Sequence, residues 1–147
     1  MAAVRSASVT WSGDLMAGTG TVTANSSGLF NDLPVSWAAR TEESGGKTSP
    51  EELLAAAHAS CYAMALSGGL ARAGTPPDEL HVSADVTFDK VGEAWKVVSS
   101  ALQVLGRVPG ATTESFQQAA EAARDGCPIS GALMGNVELS VDATLEP

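Results

Sequence analysis

The stretch Ser49-Pro50-Glu51-Glu52-Leu53-Leu54-Ala55-Ala56-Ala57-His58-Ala59-Ser60-Cys61-Tyr62-Ala63-Met64-Ala65-Leu66 decides the fold. Ser49 suits an N-cap, Pro50 suits the first helical position, where its missing N–H costs nothing, and Glu52 completes an S-x-x-E capping box. A helix therefore starts here. From Leu53 to Leu66 every side is apolar or small, which predicts a helix buried all round, in a core or in an interface. That run falls short of the roughly 18 to 20 residues a bilayer demands and carries His58 and Ser60, which argues against a membrane span. The helix can cross Gly68-Gly69 at some cost in propensity and is stopped by Gly74 and Pro76-Pro77.

Upstream, Arg5 to Trp11 alternates as a strand, Ser12-Gly13-Asp14 turns it, and Gly18 to Asn25 forms a second strand. Leu33 to Ala39 predicts a third, ending at Arg40, in a meander whose short links favour antiparallel pairing. Thr41 to Thr48, with Gly45 and Gly46, is a loop leading to the helix. Downstream, His81 to Asp89 places Val82, Ala84, Val86 and Phe88 on one face, and Trp95 to Val108 answers as its hairpin partner. Thr113 caps a helix with Phe116, Ala119, Ala120 and Ala123 on one side, ending at Gly126. A short helix from Cys127-Pro128 to Met134 precedes a closing strand, Val137 to Leu145. The order βββ-α-ββ-α-(short α)-β is α+β, with antiparallel sheets packed around a long buried central helix.

With 147 residues, 44% of them hydrophobic, the chain suits one domain spanning 1–147. A net charge of -9 with only eight Lys and Arg argues against a nucleic acid partner and an anionic membrane surface. Met1 to Ser6 lacks the apolar core of a secretory signal, so the expected compartment is cytoplasmic, where thiols stay reduced. Two cysteines there point to chemistry, although a free cysteine also serves as core filler.

Cys127 lies between Gly126, which ends one helix, and Pro128, which opens the next. A thiol at a helix N-terminus favours the thiolate. Cys61 is three turns into its helix, so any lowering of its pKa needs a positive neighbour. His58 stands at i−3 on the same face, yet a histidine in an Ala-rich helix more often serves as a hydrogen-bonded core residue. An arginine delivered near the loop after Arg40 would serve better, being always charged and able to fork.

The run from Thr48 to Leu66 together with Gly126-Cys127-Pro128-Ile129-Ser130, supported by Trp11-Ser12-Gly13-Asp14 and Ala84 to Lys90, resembles the OsmC/Ohr family of thiol-dependent peroxidases. His58 and the placement of Arg40 look more like the OsmC branch. The resemblance implies an intertwined homodimer with an OsmC-like fold, in which Cys61 is the peroxidatic thiol, Cys127 the resolving thiol, Arg40 the thiolate-stabilising cation and Glu51 the carboxylate that orients Arg40. It implies an antioxidant enzyme of the oxidative stress response that reduces organic hydroperoxides through a Cys61 sulfenic acid and a redox-active Cys61–Cys127 disulfide. No metal or bound cofactor is expected; an external dithiol, such as a lipoyl group, regenerates the pair. Glu51 and Cys61 stand ten positions apart in one helix, about 15 Å and roughly 80° out of line, so the Glu51 beside a given Cys61 would come from a second copy. Two other functions fit the same residues: a Cys61–His58 acyl transferase or hydrolase, and a non-catalytic module for apolar ligands.

Overall fold

A computed structural model describes all residues from Met1 to Pro147, which group into two compact units, Met1–Leu53 and Leu54–Pro147. In the first unit, β1 (Ser8–Ser12), β2 (Thr19–Thr23) and β3 (Leu33–Val35) form an antiparallel sheet in the order β1-β2-β3. Trp11 pairs with Gly20, and its indole lies over that glycine: a Cβ at Gly20 would come within 2.7 Å of the ring. Glycine here is what lets an aromatic ring rest on the sheet.

The third strand is shorter than the expected Leu33 to Ala39. It stops at Val35, because the Ser36 hydroxyl accepts the N–H of Ala39 and caps a short helix, α1 (Trp37–Thr41). A local side-chain acceptor thus outcompetes strand extension. Arg40 therefore sits in the last turn of α1 rather than at a strand end. Thr48 then donates its N–H to Pro34 O at 2.9 Å, which ties the following loop back to β3 just before α2 (Pro50–Arg72).

The start of α2 is as the sequence dictates: Ser49 Oγ accepts the Glu52 N–H at 3.1 Å. Its end is a Schellman turn, with Thr75 N–H on Leu70 O, Gly74 N–H on Ala71 O and Gly74 at φ +88. At 23 residues α2 is long and apolar enough to cross a bilayer by length and composition alone, more than the run Leu53 to Leu66 implied.

In the second unit, β4 (Glu79–Val91), β5 (Ala94–Arg107) and β6 (Glu138–Leu145) form a sheet in the order β4-β5-β6. The β4–β5 hairpin is antiparallel as expected, but β6 lies parallel to β5. The connection from β5 to β6 passes through α3 (Thr113–Gly126) and α4 (Pro128–Leu133), and such a helical crossover returns the chain in the same direction. The cap of α3 is Thr112, one residue before the expected Thr113, in a reciprocal box with Ser115.

Tyr62, Leu66 and Leu70 of α2 pack with Leu102 and Val104 of β5 and Phe116, Ala120 and Ala123 of α3 in one core. Only one stripe of α2 is buried there: His58, Tyr62, Leu66 and Leu70, at fourfold spacing. Ala56, Ser60 and Met64 face outward, Met64 at 74% exposure, so the helix is not covered on every side within one chain. One three-stranded sheet and one amphipathic helix can cover only one face of a cylinder about 10 Å across.

Candidate active site

The chemistry-bearing residues form two pairs, one in each unit. In the first unit, the cap of α1 and the cap of α2 bring Arg40 and Glu51 together. Arg40 Nε donates to Glu51 Oε1 at 2.9 Å and Oε2 at 3.2 Å, and a terminal guanidinium nitrogen lies 2.9 Å from Oε1. Glu51 is buried and sits in the first turn of α2, where the helix dipole favours a carboxylate. The guanidinium also lies over the Trp37 ring, 5.9 Å from its centroid.

Arg40 and Ser36 border a cavity of about 340 Å³ whose other lining residues are apolar, among them Val9, Trp11, Leu15, Trp37 and Leu53. A charged head beside an apolar pocket suits an amphipathic small molecule. The sequence marked Arg40 and Glu51; it did not mark Trp37 or Leu15, whose roles depend on the turn at Ser36 and the hairpin after β1.

In the second unit, Cys61 of α2 and Cys127, the N-cap of α4, are both free thiols, near enough that each shifts the other's pKa. Cys61 is half-buried, whereas Cys127 is 1% exposed. Burial raises the Cys127 thiol, but the neighbouring Cys61 and the polar groups of Ser130 and Ile129 at the start of α4 bring it below the ordinary range. Burial and the neighbouring Cys127 push the Cys61 thiol up, against a smaller lowering by the Ile129 N–H. The expectation that a positive neighbour lowers Cys61 is not met by the groups that touch it in this unit, which are neutral or negative.

His58 takes the core role. Nδ1 lies 2.7 Å from Ser100 Oγ and Nε2 2.8 Å from Ser130 Oγ, so both ring nitrogens are engaged and burial holds the imidazole below its usual pKa. Neither nitrogen is left to serve Cys61 as a base. Ser100 and Ser130 are the site residues that sequence reasoning missed. Ser130 carried a signal in standing three residues after Cys127, in the first turn of α4; Ser100 carried none. Tyr62 closes the floor of this region by donating its hydroxyl to Ala120 O at 3.0 Å.

Residues 43–142 match the OsmC-like protein family. Over 129 residues, 88% of this chain and 89% of the relative, the sequence is 40% identical to the Peroxiredoxin OsmC of Escherichia coli. Among solved structures, an OsmC-like protein from Vibrio cholerae superposes with a TM-score of 0.75 at 16% identity, covering 97% of this chain and all 100% of the other. The organic hydroperoxide resistance protein OhrB of Bacillus subtilis gives 0.67 at 24% identity, covering 95% and 98%. At these identities the structural matches speak for the fold.

Proposed function

The chain belongs to the OsmC-like protein family, and on that footing we propose that it is a cysteine-based peroxidase that reduces organic hydroperoxides to alcohols. The observation that carries this reading is the pair of free, neighbouring thiols of which only Cys61 is open to solvent. The Cys61 thiolate attacks one oxygen of the peroxide, the O–O bond breaks, the alkoxide leaves and takes a proton as alcohol, and Cys61 becomes a sulfenic acid. Cys127, its neighbour in the fold, condenses with it to a disulfide with loss of water. An external dithiol then reduces that disulfide by exchange, with no metal or bound cofactor required and in a reducing compartment such as the cytoplasm.

Activation of Cys61 comes, in this proposal, from a second copy of the chain. The Arg40–Glu51 pair is a prebuilt cation with its fork fixed, and the helix rise sets Glu51 and Cys61 of one α2 about 15 Å apart. A homodimer pairing two α2 helices would bring one copy's Arg40 to the other's Cys61 and cover the outward stripe Ala56, Ser60 and Met64. The apolar cavity beside Arg40 would then receive the organic part of the peroxide. Engagement of both His58 nitrogens by serines weighs against an acyl transferase or hydrolase that uses His58 as base.

The deciding experiment is consumption of cumene hydroperoxide coupled to oxidation of a dithiol such as dihydrolipoamide. Stoichiometric turnover supports the proposal; no turnover with any dithiol, while both thiols are titratable, overturns it.

A further inference from the structure

Arg72, in the last turn of α2, has no part in the chemistry above and none in the ion pairs of the chain, which are Arg40–Glu51, Arg107–Glu79 and Arg124–Asp125. Its guanidinium lies back along the helix: a Cβ at Gly68 would stand 3.3 Å from one terminal nitrogen, and a Cβ at Gly69 3.9 Å from the other. There it borders a cavity of about 640 Å³ between α2 and α3, wholly within the second unit. On α2, Cys61, Ala65, Gly68 and Arg72 stand at i, i+4, i+7 and i+11, inside an arc of about 60°. On α3, Ser115, Ala119, Ala122 and Gly126 repeat that spacing. Cys61 aside, all of these line the cavity, and their small side chains leave the furrow between the helices unfilled. Its lining reaches Ala65, one turn from Cys61, and takes in Gly126 and Pro128, which flank Cys127 in sequence. Arg72 is the only charged residue in that lining, with Ser115 and Gln118 as polar companions. In a chain of net charge -9, a furrow without a carboxylate and with one unpaired cation favours an anion.

We propose that this furrow is a subsite for the carboxylate arm of a long-chain hydroperoxy acid, with Arg72 as the residue that recognises the carboxylate. The assignment deepens the function proposed above and rests on Cys61 being the thiol that attacks the peroxide. The guanidinium stands at the level of Gly68, seven residues or about 10 Å along the axis from Cys61. An arm of about eight carbons spans that distance, since C–C bonds of ~1.5 Å advance an extended chain by roughly 1.25 Å each. A carboxylate held on Arg72 therefore presents a peroxide group in mid-chain to Cys61, with the methylenes between them along the apolar walls. The guanidinium can take the carboxylate by two parallel N–H donors, which fixes the direction of the arm. The other, apolar arm of such a molecule is what the cavity beside Arg40 is proposed to receive. A short uncharged peroxide such as cumene hydroperoxide reaches Cys61 without the furrow.

Two measurements test it. The first needs no peroxide: calorimetric binding of decanoate to the full chain. Wild type should bind it, and Arg72→Gln should weaken binding about tenfold, the loss of one charge-assisted hydrogen bond. Methyl decanoate should bind both chains alike. Gly68→Leu, which fills the furrow and favours the helix, should weaken decanoate as well. Decanoate that binds Arg72→Gln as tightly as wild type overturns the inference. The second is kcat/KM for linoleic acid hydroperoxide, its methyl ester and cumene hydroperoxide, all with dihydrolipoamide, an uncharged reductant. Wild type should favour the acid over the ester about tenfold, and Arg72→Gln should erase that preference through KM while cumene hydroperoxide is unaffected. Equal losses on all three peroxides would mean a structural role and would sink the subsite. So would an unchanged acid preference with slower re-reduction by dihydrolipoate, which would give the furrow to the reductant. If the wild-type chain consumes no peroxide, the peroxidase reading fails, while decanoate still decides whether Arg72 holds a carboxylate.

Discussion

Arg40 holds Glu51 by two nitrogens, Nε at 2.9 and 3.2 Å from the two carboxylate oxygens and a terminal nitrogen at 2.9 Å from Oε1. The carboxylate is buried and sits at a helix start, so the guanidinium is fixed in direction while one of its edges borders the apolar cavity. Planar, forked pairing is something lysine cannot reproduce. Arg40→Lys and Glu51→Gln should each lower the rate of Cys61 oxidation by about tenfold or more, the loss of one charge-assisted hydrogen bond. Stopped-flow peroxide consumption checks this, and rates within twofold of wild type would show the pair to be structural only.

A half-buried thiol neighbouring a buried one predicts a division of labour. Cys61→Ser should abolish turnover. Cys127→Ser should oxidise once and stop at sulfenic or higher acids, seen as added oxygen in the intact mass. Normal dithiol-coupled turnover by Cys127→Ser would remove the resolving role.

The cavity lined by Trp11, Leu15, Trp37 and Leu53 should favour peroxides with apolar bodies, since each buried methylene contributes about 0.8 kcal/mol. We expect a higher kcat/KM for cumene or fatty-acid hydroperoxides than for hydrogen peroxide under one reductant. Equal values, or the reverse order, would contradict it.

The exposed stripe of α2 and the ten-residue separation of Glu51 from Cys61 predict a homodimer with shared sites. Inactive Cys61→Ser and inactive Glu51→Ala chains, mixed under subunit exchange, should regain partial activity, because each heterodimer holds one site with both native residues. A monomer in sedimentation, or exchange without recovery, would confine Glu51 to capping α2.

One prediction concerns stability alone. A Cβ at Gly106 would meet the Phe116 ring at 2.5 Å, and that ring is fully buried with no room to withdraw. Gly106→Ala should therefore cost about 1 to 3 kcal/mol, the usual penalty for overpacking, measurable by urea denaturation. An unchanged midpoint would mean that α3 shifts freely on the sheet.

What the sequence determined by itself is whatever short-range chemistry dictates. The Ser49 cap, the Gly74 stop, the alternation through β4 and β5 and the Gly126-Cys127-Pro128 break are all set within a few residues, and all appear where those residues put them. Extension of β3 was also lost locally, to a serine cap that shortened the strand and put Arg40 on a helix. Tertiary structure decided the rest. The direction of β6 followed from a crossover of two helices, which alternation along the strand cannot report. Apolar residues all round α2 said that every face wants cover, but which face one chain covers depends on how much sheet reaches it. His58 found its partners 42 and 72 positions away, and no local pattern encodes a hydrogen bond closed over that distance; the fold alone placed two buried hydroxyls on an imidazole whose neutral form is the cheaper one to bury.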